Sequence, residues 1–553
     1  MGNRLFRISI LHIIALFIGN SCIAKNQNKE VAARLKTDIM FLASDDLEGR
    51  RTSSNGEAKA AAYIIARYKE LGIEPYKGKY QYPFDFTYGK RIGDSTQIKI
   101  NGEAVTIGKD CFPLPFSANK NCRGETILDF NQRDKIWVVS LYKEGEQANS
   151  PHFDWEKAMN EKAREAEKFG AKGIVFFDSF GTHYAPVFKL RSDFDPVSIP
   201  VIYISKKNYN KYIKSSTTKS VVFDFSISIK KSERTGTNIA SYIDNKAAYT
   251  VVLGAHYDHL GYGEDGNSLG INSENEHKIH YGADDNASGT AALLEEAKWI
   301  KENKKLKNFN YLFINFSGEE LGLYGSKAIV KEQNLDSSYI AYMLNMDMVG
   351  RLDESTRTLT LGGVGTSPQW KDVVALAGKD FNLTIDSTGR GPSDHTSFYN
   401  VGIPVLFVFT GTHLDYHKPS DVPEKINYDG EVNVLNFINK ILLKIDNEKT
   451  KPVYAGNQTS SLGKVNFKVT LGIVPDYTSR EGGVRVDGVL NGRPAEKAGI
   501  TRGDIIIQLG NCKIQSMQSY MEALDKFAPE EKTTVTILRN GKNIILPIVL
   551  SKK

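Results

Sequence analysis

The chain has 553 residues, which corresponds to roughly three or four domains of ~150 residues each. Hydrophobic residues make up 41%, aromatic residues 10% and charged residues 25%, proportions that exclude a disordered tail, a collagen-like fibre and a disulfide-dense miniprotein. The net charge of +6, from 71 basic and 65 acidic residues, is small for this length, and no basic stripe alternates with aromatic residues. We therefore expect no nucleic-acid partner.

The first 24 residues have the pattern of an export signal. Arg4 and Arg7 precede the apolar run ISILHIIALFIG, and small or polar residues follow it. Three outcomes remain open: cleavage before Lys25, lipidation of Cys22 despite Gly19 at a lipobox position that prefers Leu, or an uncleaved anchor. We expect an exported protein, periplasmic or extracellular. No later apolar run reaches the ~18 residues that span a bilayer, so we expect no transmembrane span in the mature chain.

Hydrophobic periodicity divides the rest of the chain into five segments. Residues 25–95 carry two helix-period stretches, whereas residues 96–234 alternate short strand-like runs with one helix, WEKAMNEKAREAEKFGA. Strands and helices alternate over residues 235–445, which predicts an α/β sheet with many parallel strands. Residues 446–461 are polar, contain Pro and Gly, and are predicted to be a linker. Residues 462–553 predict a separate small domain of short strands and one helix.

Three cysteines follow the export signal: Cys111, Cys122 and Cys512. A short-loop disulfide between Cys111 and Cys122 would suit an oxidising compartment, and three free thiols are the alternative. The sequence leaves this choice open.

Seven of the ten histidines fall between residues 256 and 417, where acidic residues also follow predicted strands or begin a predicted helix. The residues concerned are His256, Asp258, Asp285, Glu319, Glu320, Asp347 and His417. Open α/β sheets bind ligands at the carboxyl ends of their strands, and burying such groups is costly unless a cation compensates their charge.

Imidazole and carboxylate groups suit Zn²⁺. Even five ligands drawn from these seven residues are too many for one tetrahedral zinc that keeps an open position. They fit two ions if one carboxylate bridges them, and a metal pair ~3.5–4 Å apart is a known device for activating water.

Six stretches, in the family's order, resemble the zinc-dependent aminopeptidase family, metallopeptidase family 28. They are GAHYDHLG, GADDNASGT, NFSGEELGLYGS, LNMDMVG, GPSDHTSF and DYHKPSD. With DDLEGR and AAAYIIARYKELGIEP near the start, the resemblance covers most of residues 30–445. It implies the zinc-exopeptidase fold: a mixed, largely parallel sheet sandwiched by helices.

The resemblance also implies a ligand set. His256 and Asp347 would bind one zinc, Glu320 and His417 would bind the other, and Asp285 would bridge them.

Further roles follow from the same resemblance. Glu319 would be the general base that takes a proton from the metal-bridged water, and Asp258 would orient the His256 imidazole. Tyr416 matches a position that polarises the substrate carbonyl in some members. Other members place a Tyr before the SDH motif, where this chain has Arg390, so the oxyanion stabiliser is open between Tyr416 and Arg390.

The remaining polar residues of this region are expected to lie near the site without binding metal. We expect a turn or helix cap from Asp284 and loop, structural or outer positions from His259, His277, His280, His395 and His413. For Asp394 and Asp421 the sequence leaves open whether they are outer partners, and we assign them no role.

Two segments outside the catalytic motifs resemble known modules. Residues 96–234 resemble the protease-associated (PA) domain and would restrict access to the zinc site, or would be an inert insertion. Residues 462–553 resemble a PDZ domain, with LGIVPDY as its carboxylate-binding loop and MQSYMEALDKF as the helix beside its groove. A peptide C-terminus would add as a strand near Leu471 to Ile473; the alternative is a docking module for the enzyme's own chain.

These observations together predict an exported dinuclear zinc exopeptidase that removes N-terminal residues from peptides. The alternatives are a carboxypeptidase or a single-zinc cyclase of the same fold, or an inactive scaffold that binds peptides through its PDZ and PA domains. The presence of both His256 and His417 argues against the cyclase.

Overall fold

A computed structural model of the chain describes residues 26–552 except 109, 128–130, 144–154, 181–185, 189–191, 193, 216–219, 270–277, 378, 457–468, 477–481, 490–492, 516 and 540. The predicted export signal over residues 1–24, the candidate lipidation site Cys22 and the candidate outer residue His277 lie outside this description. Within the described residues, no helix is long and apolar enough to cross a lipid bilayer.

The N-terminal part consists of helices followed by one long strand. Its elements are α1 (26–42), the 3₁₀ turn Asp45–Arg50, α2 (Asn55–Glu70), β1 (Glu74–Pro75), the 3₁₀ turn Tyr76–Gly78 and β2 (Gln81–Ile92). The side chain of Ser54 caps α2 by accepting the Glu57 N–H. Alternate residues of β2 are buried along its first eight positions, which is the pattern of a strand with one covered face.

The next segment forms two four-stranded sheets. Its elements are β3 (Gln97–Ile100), β4 (Glu103–Ala104), β5 (Cys111–Pro113), β6 (Asn121–Ile127), β7 (Ile136–Ser140), α3 (Trp155–Lys168), β8 (Gly173–Phe177), β9 (Val201–Ile204), α4 (Lys206–Tyr209), the π turn Asn210–Lys214 and β10 (Ser220–Ser226). The sheet orders are β4-β3-β10-β6 and β5-β9-β8-β7. Cys111 and Cys122 lie in different sheets, and both are free thiols, as is Cys512.

The chain then returns to the large sheet that carries the predicted site. The strands are β11 (Ile229–Ile243), β12 (Thr250–His256), β13 (Asn310–Phe316), β14 (Ile340–Met346), β15 (Thr358–Gly362), β16 (Asn382–Ile385) and β17 (Val405–Phe409). The helices are α5 (Gly289–Glu302), α6 (Tyr324–Glu332), α7 (Trp370–Ala375), α8 (His395–Tyr399) and α9 (Tyr428–Glu448), and the single turns are Ala283–Ser288, Val364–Thr366 and Pro423–Lys425.

The nine strands of this sheet run in both directions. Their order is β1-β11-β13-β12-β14-β17-β15-β16, with β2 paired to β11. The central strand β12 is parallel to both β13 and β14, and β14 is parallel to β17, whereas β11 is antiparallel to β13. The predicted mixed α/β sheet with many parallel strands is therefore confirmed, and the carboxyl ends of four neighbouring strands share one edge.

Helices cover both faces of the sheet. Every residue of β12, β13 and β14 is buried. Val251 and Leu253 belong to a hydrophobic cluster that includes α1, α2, α5 and α9, whereas Val252 belongs to a second cluster with α6 and α8. Strands buried on both faces explain the nearly continuous apolar runs in the sequence, because neither face meets water.

The described residues just after α9 lie along the segment that contains the nine-stranded sheet. Lys451 donates to the Ser337 carbonyl (2.6 Å), the Val453 N–H donates to the Gln369 side chain (3.2 Å), and the Ala455 N–H donates to the Thr366 carbonyl (2.8 Å). The Tyr454 ring lies 5.6 Å from the Tyr399 ring. We call residues 451–455 the strap; it lies inside the segment that the sequence predicts to be a linker.

The C-terminal segment has a core of its own. Its elements are β18 (Val469–Thr470), β19 (Ile473–Asp476), β20 (Val484–Val489), α10 (Pro494–Lys497), β21 (Ile505–Leu509), β22 (Cys512–Lys513), α11 (Met517–Asp525), β23 (Lys532–Arg539), β24 (Lys542–Val549) and β25 (Ser551–Lys552). Six strands form one sheet in the order β19-β20-β21-β23-β24, with β22 paired to β21. Val486, Ile506, Leu524 and Val535 belong to one buried cluster, so this segment has both a sheet and a core of its own.

Candidate metal centre and active site

The predicted ligands come from the shared carboxyl edge of the large sheet. His256 is the last residue of β12, Glu320 follows β13, and Asp347 follows β14 directly. Asp285 lies in the π-helical turn Ala283–Ser288 that leads into α5, and His417 follows β17 by eight residues. Parallel strand pairing therefore brings together residues that are up to 161 positions apart in the chain.

The five side chains form two groups of donor atoms that share Asp285. His256 Nε2 lies 3.3 Å from Asp285 Oδ1 and 3.3 Å from Asp347 Oδ1. His417 Nε2 lies 3.3 Å from Asp285 Oδ2 and 3.0 Å from Glu320 Oε2. Each oxygen of Asp285 thus faces a different imidazole.

This donor set fits two zinc ions. A tetrahedral ion with bonds of ~2.0–2.1 Å separates its donors by ~3.3 Å, close to the spacings within both groups. All five side chains are at most 14% exposed. Three carboxylates this close together in a buried place require positive charge nearby, and two divalent cations would supply it.

The pKa values of the two histidines also reflect the surrounding negative charge. Burial alone would lower the pKa of His256, but the negative charges of Asp347 and Glu319 outweigh it and raise that pKa well above its ordinary value. The pKa of His417 is raised well above its ordinary value against the same effect of burial, mainly by Glu320 and Asp285. The carboxylates around the two imidazoles therefore favour positive charge at this place.

Outer hydrogen bonds orient several of these side chains. Ser393 Oγ donates to Asp347 Oδ2 (2.7 Å), and Asn345 in turn donates to Ser393 Oγ (2.8 Å). His417 Nδ1 lies 2.9 Å from the main-chain carbonyl of Asn267, which directs its Nε2 towards Asp285.

Asp258 lies beside His256, and its main chain is the nearer contact. His256 Nδ1 is 3.2 Å from the Asp258 carbonyl and 3.7 Å from its carboxylate. The Asp258 carboxylate accepts hydrogen bonds from Thr52 Oγ1 (2.9 Å) and from the Glu319 N–H (3.2 Å). Asp258 thus connects the strand end that carries His256 to the loop that carries Glu319.

Glu319 precedes Glu320 in the loop after β13. Burial, reinforced by the negative charges of Asp347, Asp394 and Glu320, raises the pKa of the Glu319 carboxyl well above its ordinary value despite the nearby His256. By contrast, His417 and His259 lower the pKa of Glu320 to about 2, against burial and the charge of Asp285. Two adjacent carboxyls are thus driven apart in acidity.

The two candidates for the oxyanion stabiliser occupy different places. The Tyr416 ring stacks on the His417 imidazole with centroids 3.9 Å apart. The Arg390 guanidinium lies 6.0 Å from the centre of the Tyr399 ring, on α8. Tyr416 is therefore in contact with a predicted ligand.

Residues 238–441 match the sequence profile of peptidase family M28, and residues 469–550 match the PDZ domain profile. The part of the large sheet that carries the donor groups is therefore similar to peptidase family M28, and we call residues 238–441 the M28 segment.

Curated relatives carry aminopeptidase names. The chain is 29% identical to a probable leucine aminopeptidase of Arthroderma otae over 223 residues, covering 37% of this chain and 57% of the relative. It is 29% identical to aminopeptidase YwaD of Bacillus subtilis over 284 residues, covering 48% of this chain and 55% of the relative. The chain thus spans about half the length of the curated relatives that it matches. Among solved structures, BSAP, a zinc aminopeptidase from Bacillus subtilis, is 22% identical with a TM-score of 0.43, covering 74% of this chain and 95% of that one.

The other histidines of the M28 segment lie around the donor groups. His259 Nδ1 is 2.8 Å from Glu320 Oε1, and His413 Nε2 is 3.2 Å from Asp284 Oδ2. His280 Nε2 lies 2.6 Å from Ser268 Oγ. His395 stacks on Phe407 with ring centroids 4.6 Å apart, and burial lowers its pKa to about 3.

Acidic residues near the donor groups hold the turn Ala283–Ser288, which carries Asp285. Asp421 accepts the N–H groups of Asp284 (3.0 Å) and Asp285 (3.1 Å). Asp284 accepts the Gly350 N–H (2.8 Å), so it joins the bridging turn to the loop after β14. Asp394 is fully buried, and its pKa is raised to about 7 by burial, with Asp258 and Asp347 adding to the effect and His256 opposing it.

Arg50 is a positioning residue that the sequence analysis missed. Its fully buried guanidinium donates to the carbonyls of Tyr257 (2.9 Å), Tyr281 (2.8 Å), Gly282 (2.9 Å) and Leu42. It therefore ties the loop after His256 to the loop before Asp285. The motif DDLEGR contains this arginine, but nothing local in the sequence indicates that three of its four partners are carbonyl groups more than 200 residues away.

Asp265 anchors a second loop of the M28 domain. Arg51 and Arg234 each donate two hydrogen bonds to its carboxylate, at 2.7–3.0 Å. The Asp265 side chain is 3% exposed. Asn267, whose carbonyl faces His417, lies two residues further on. The pair of arginines thus holds the loop that directs a predicted ligand.

We expect Asp265→Asn to destabilise the protein by about 3 kcal/mol at neutral pH, because it leaves two arginines without their buried partner. Burial raises the pKa of Asp265, but the hydrogen bonds from Arg234 and Arg51 outweigh it and hold that pKa below its ordinary value. The stabilisation is therefore complete above the unfolded-state pKa of ~3.9 and is lost as the pH falls through the folded-state pKa.

Urea denaturation of both proteins at pH 7, 5 and 3 tests this expectation. Asp380→Asn is the matched control, since Asp380 pairs with Lys440 at an exposed site and should cost less than about 1 kcal/mol. A destabilisation by Asp265→Asn that is equal at pH 7 and pH 3 would contradict the assignment.

Proposed function

We propose that this protein is a dinuclear zinc exopeptidase, an aminopeptidase that hydrolyses N-terminal residues from peptides. One observation carries the proposal: the two oxygens of Asp285 face His256 and His417, each of which has a second carboxylate beside it. Two metal ions this close together need a ligand that both can share, and the Asp285 carboxylate is placed to be that ligand. The aminopeptidase names of the relatives support the choice of reaction.

In this proposal His256 and Asp347 would hold the first ion, Glu320 and His417 would hold the second, and Asp285 would be shared by both. When bound, the zinc pair supplies a water molecule of lowered pKa and polarises the scissile carbonyl.

Glu319 is proposed to be the general base. Its buried carboxyl, with a raised pKa, suits a group that takes a proton from the attacking water and returns it to the leaving amine. Asp258 supports this role by accepting the Glu319 N–H, which fixes the loop next to the donor groups.

Tyr416 is proposed to stabilise the oxyanion. Its stacking on His417 keeps the phenol beside the second donor group, where charge develops on the substrate oxygen. Arg390 is the alternative, and its guanidinium lies over the Tyr399 ring instead.

The domain division is proposed as the sequence predicts it. Residues 25–95 and 235–445 form the catalytic domain, residues 96–234 a PA-type insertion that restricts access, residues 446–461 the linker, and residues 462–553 the PDZ domain. The long antiparallel pairing of β2 with β11 supports the insertion, because these strands lead the chain out of the large sheet and back. Export, with or without lipid on Cys22, rests on the first 24 residues, and N-terminal sequencing of the mature chain tests it.

The first prediction concerns metal content. We expect about two zinc ions per chain, one ion after His256→Ala and one after His417→Ala, because each histidine serves a different donor group. Mass spectrometry of the metal after dialysis measures the stoichiometry, and the two variants are controls for each other.

Activity is measured separately. Chelation should abolish hydrolysis of an N-terminally free dipeptide amide, and the enzyme should not cleave the N-acetylated form of that substrate. Wild-type protein that binds at most one zinc would contradict the dinuclear centre. Release of the C-terminal residue from an N-acetylated dipeptide with a free carboxylate would indicate a carboxypeptidase.

The second prediction concerns the base. Glu319→Gln keeps the size of the side chain but cannot accept the proton, so we expect kcat to fall about 10²–10⁴-fold with unchanged zinc content. The neighbouring Glu320→Gln variant is the control and should lose zinc. Unaltered turnover in Glu319→Gln would reassign the base, and lost zinc would make Glu319 a ligand.

The third prediction concerns the PDZ domain. β19 lies at the edge of its sheet, so an added peptide strand could pair with it and place its carboxylate near Leu471 to Ile473. A chain that stops after residue 456 keeps the strap, and we expect normal activity on short substrates but a raised KM on long peptides with free C-termini. Amidated long peptides should show no difference between the two proteins.

A second truncation, after Glu448, serves as a control for the strap. It removes the hydrogen bonds that residues 451–455 make to the sheet segment, so its melting temperature should be lower than that of the chain that stops after residue 456. If the chain that stops after residue 456 has an unchanged KM on long peptides, the PDZ domain is a docking module rather than a site that captures peptides.

A further inference from the structure

His259 lies against the second donor group, although the sequence analysis expected it to be an outer loop residue. Its side chain is completely buried, and its Nδ1 lies 2.8 Å from Glu320 Oε1 and 3.9 Å from Asp285 Oδ2. Donor atoms of His259, Asp285 and Glu320 all fall within 4.8 Å of one another. The ring therefore either binds the second ion or orients one of its ligands.

The spacings favour orientation. The donors of the two proposed metal groups are 3.0–3.3 Å apart, whereas the 2.8 Å separation of His259 Nδ1 and Glu320 Oε1 is that of a charge-assisted hydrogen bond. The 3.9 Å distance from His259 Nδ1 to Asp285 Oδ2 is longer than each of the four imidazole–carboxylate distances in those groups.

The second nitrogen of the ring points to the same role. His259 Nε2 is buried and has no hydrogen-bond partner among the described residues. If Nδ1 bound a metal ion, Nε2 would have to carry the proton of the ring, and metal-binding histidines almost always donate that proton to a partner. If Nδ1 carries the proton instead, the ring donates it to Glu320. Nε2 is then an unprotonated nitrogen in the interior and has no proton that needs an acceptor.

The ring has little freedom to change this contact. A Cβ atom at Gly282 would lie 2.5 Å from the Cγ and Cδ2 atoms of His259, so the ring rests directly on the Gly282 backbone. Gly282 has a φ of +56°, and its carbonyl accepts a hydrogen bond from the buried Arg50. The surface under the ring is thus itself held in place.

We propose that His259 is a positioning residue that makes Glu320 a ligand through one oxygen only. The hydrogen bond engages Oε1, which leaves Oε2, 3.0 Å from His417 Nε2, for the second ion. A one-oxygen ligand keeps a coordination position of that ion open, as a catalytic zinc requires. This inference rests on the proposed dinuclear function.

The test compares two variants of the full-length protein. His259→Leu removes the donor, and His259→Asn places an amide N–H near the position of Nδ1. We expect His259→Leu to raise the zinc dissociation constant of one of the two ions 10–100-fold, the usual effect of removing a ligand's partner, and His259→Asn to restore most of the affinity. Competition with a chelator measures both constants, and thermal denaturation checks that each variant is folded.

The Co²⁺-substituted protein supplies a second readout. Freeing Oε1 lets Glu320 bind through both oxygens, so the visible d–d absorption of one Co²⁺ should weaken in His259→Leu as its coordination number rises, and should recover in His259→Asn. Wild-type affinity and absorption in His259→Leu would overturn the inference while leaving the dinuclear centre intact. Complete loss of one ion in both variants would overturn it too, in favour of direct binding by His259. A wild-type protein that binds fewer than two ions would overturn the proposed function, and this inference with it.

Discussion

The carboxylate of Asp285 lies between two imidazole rings, and much of the surrounding structure serves to hold it there. Its two oxygens are each 3.3 Å from a histidine nitrogen, so a small rotation of this one side chain would disturb both donor groups. The turn that carries it is fixed by Asp421, which accepts the Asp285 N–H. Asn286 adds a further tie by donating to the Met346 carbonyl at the end of β14, next to Asp347.

A carboxylate that faces two imidazoles keeps both contacts only if the residues around it are fixed as well. The large sheet provides this by ending four parallel strands at one edge, which sets His256, Asp347 and the loop of Glu319 and Glu320 at nearly fixed separations. His417 is further from its strand, and its orientation depends on the loop that Asp265 anchors through Arg51 and Arg234. The N-terminal segment thus contributes two arginines, one buried under the site and one beside it, without contributing a ligand.

Two further parts of the chain, the β2–β11 ribbon and the strap, also contact segments near the site. β2 and β11 leave the large sheet as a ribbon, carry the two sheets of the insertion, and return Arg234 to the Asp265 anchor. At the other end, the strap lies against Tyr399 on α8, the helix that follows Asp394. The ribbon of β2 and β11 and the strap therefore both contact segments that support the donor groups.

The sequence by itself determined the class of sheet, the positions where strands end, and the kinds of side chain that follow them. Continuous apolar runs such as those of β12 and β14 require burial on both faces, and acidic or histidine residues directly after them predict a ligand site, whatever the details of the fold. The metal roles of His256, Asp285, Glu320, Asp347 and His417 stay predictions, and the geometry brings all five together.

Only the tertiary structure decided which groups orient those ligands. Arg50 reaches Tyr257, which is 207 positions away, and Asn267 faces His417 across 150 positions, so no local pattern could predict either contact. The carbonyl of Asp258, rather than its carboxylate, is the nearer group to His256, and His259 meets Glu320 although its position suggested a loop. Periodicity records which face of an element is buried, whereas the partner of a buried polar group depends on how distant segments meet, and that is a property of the folded chain alone.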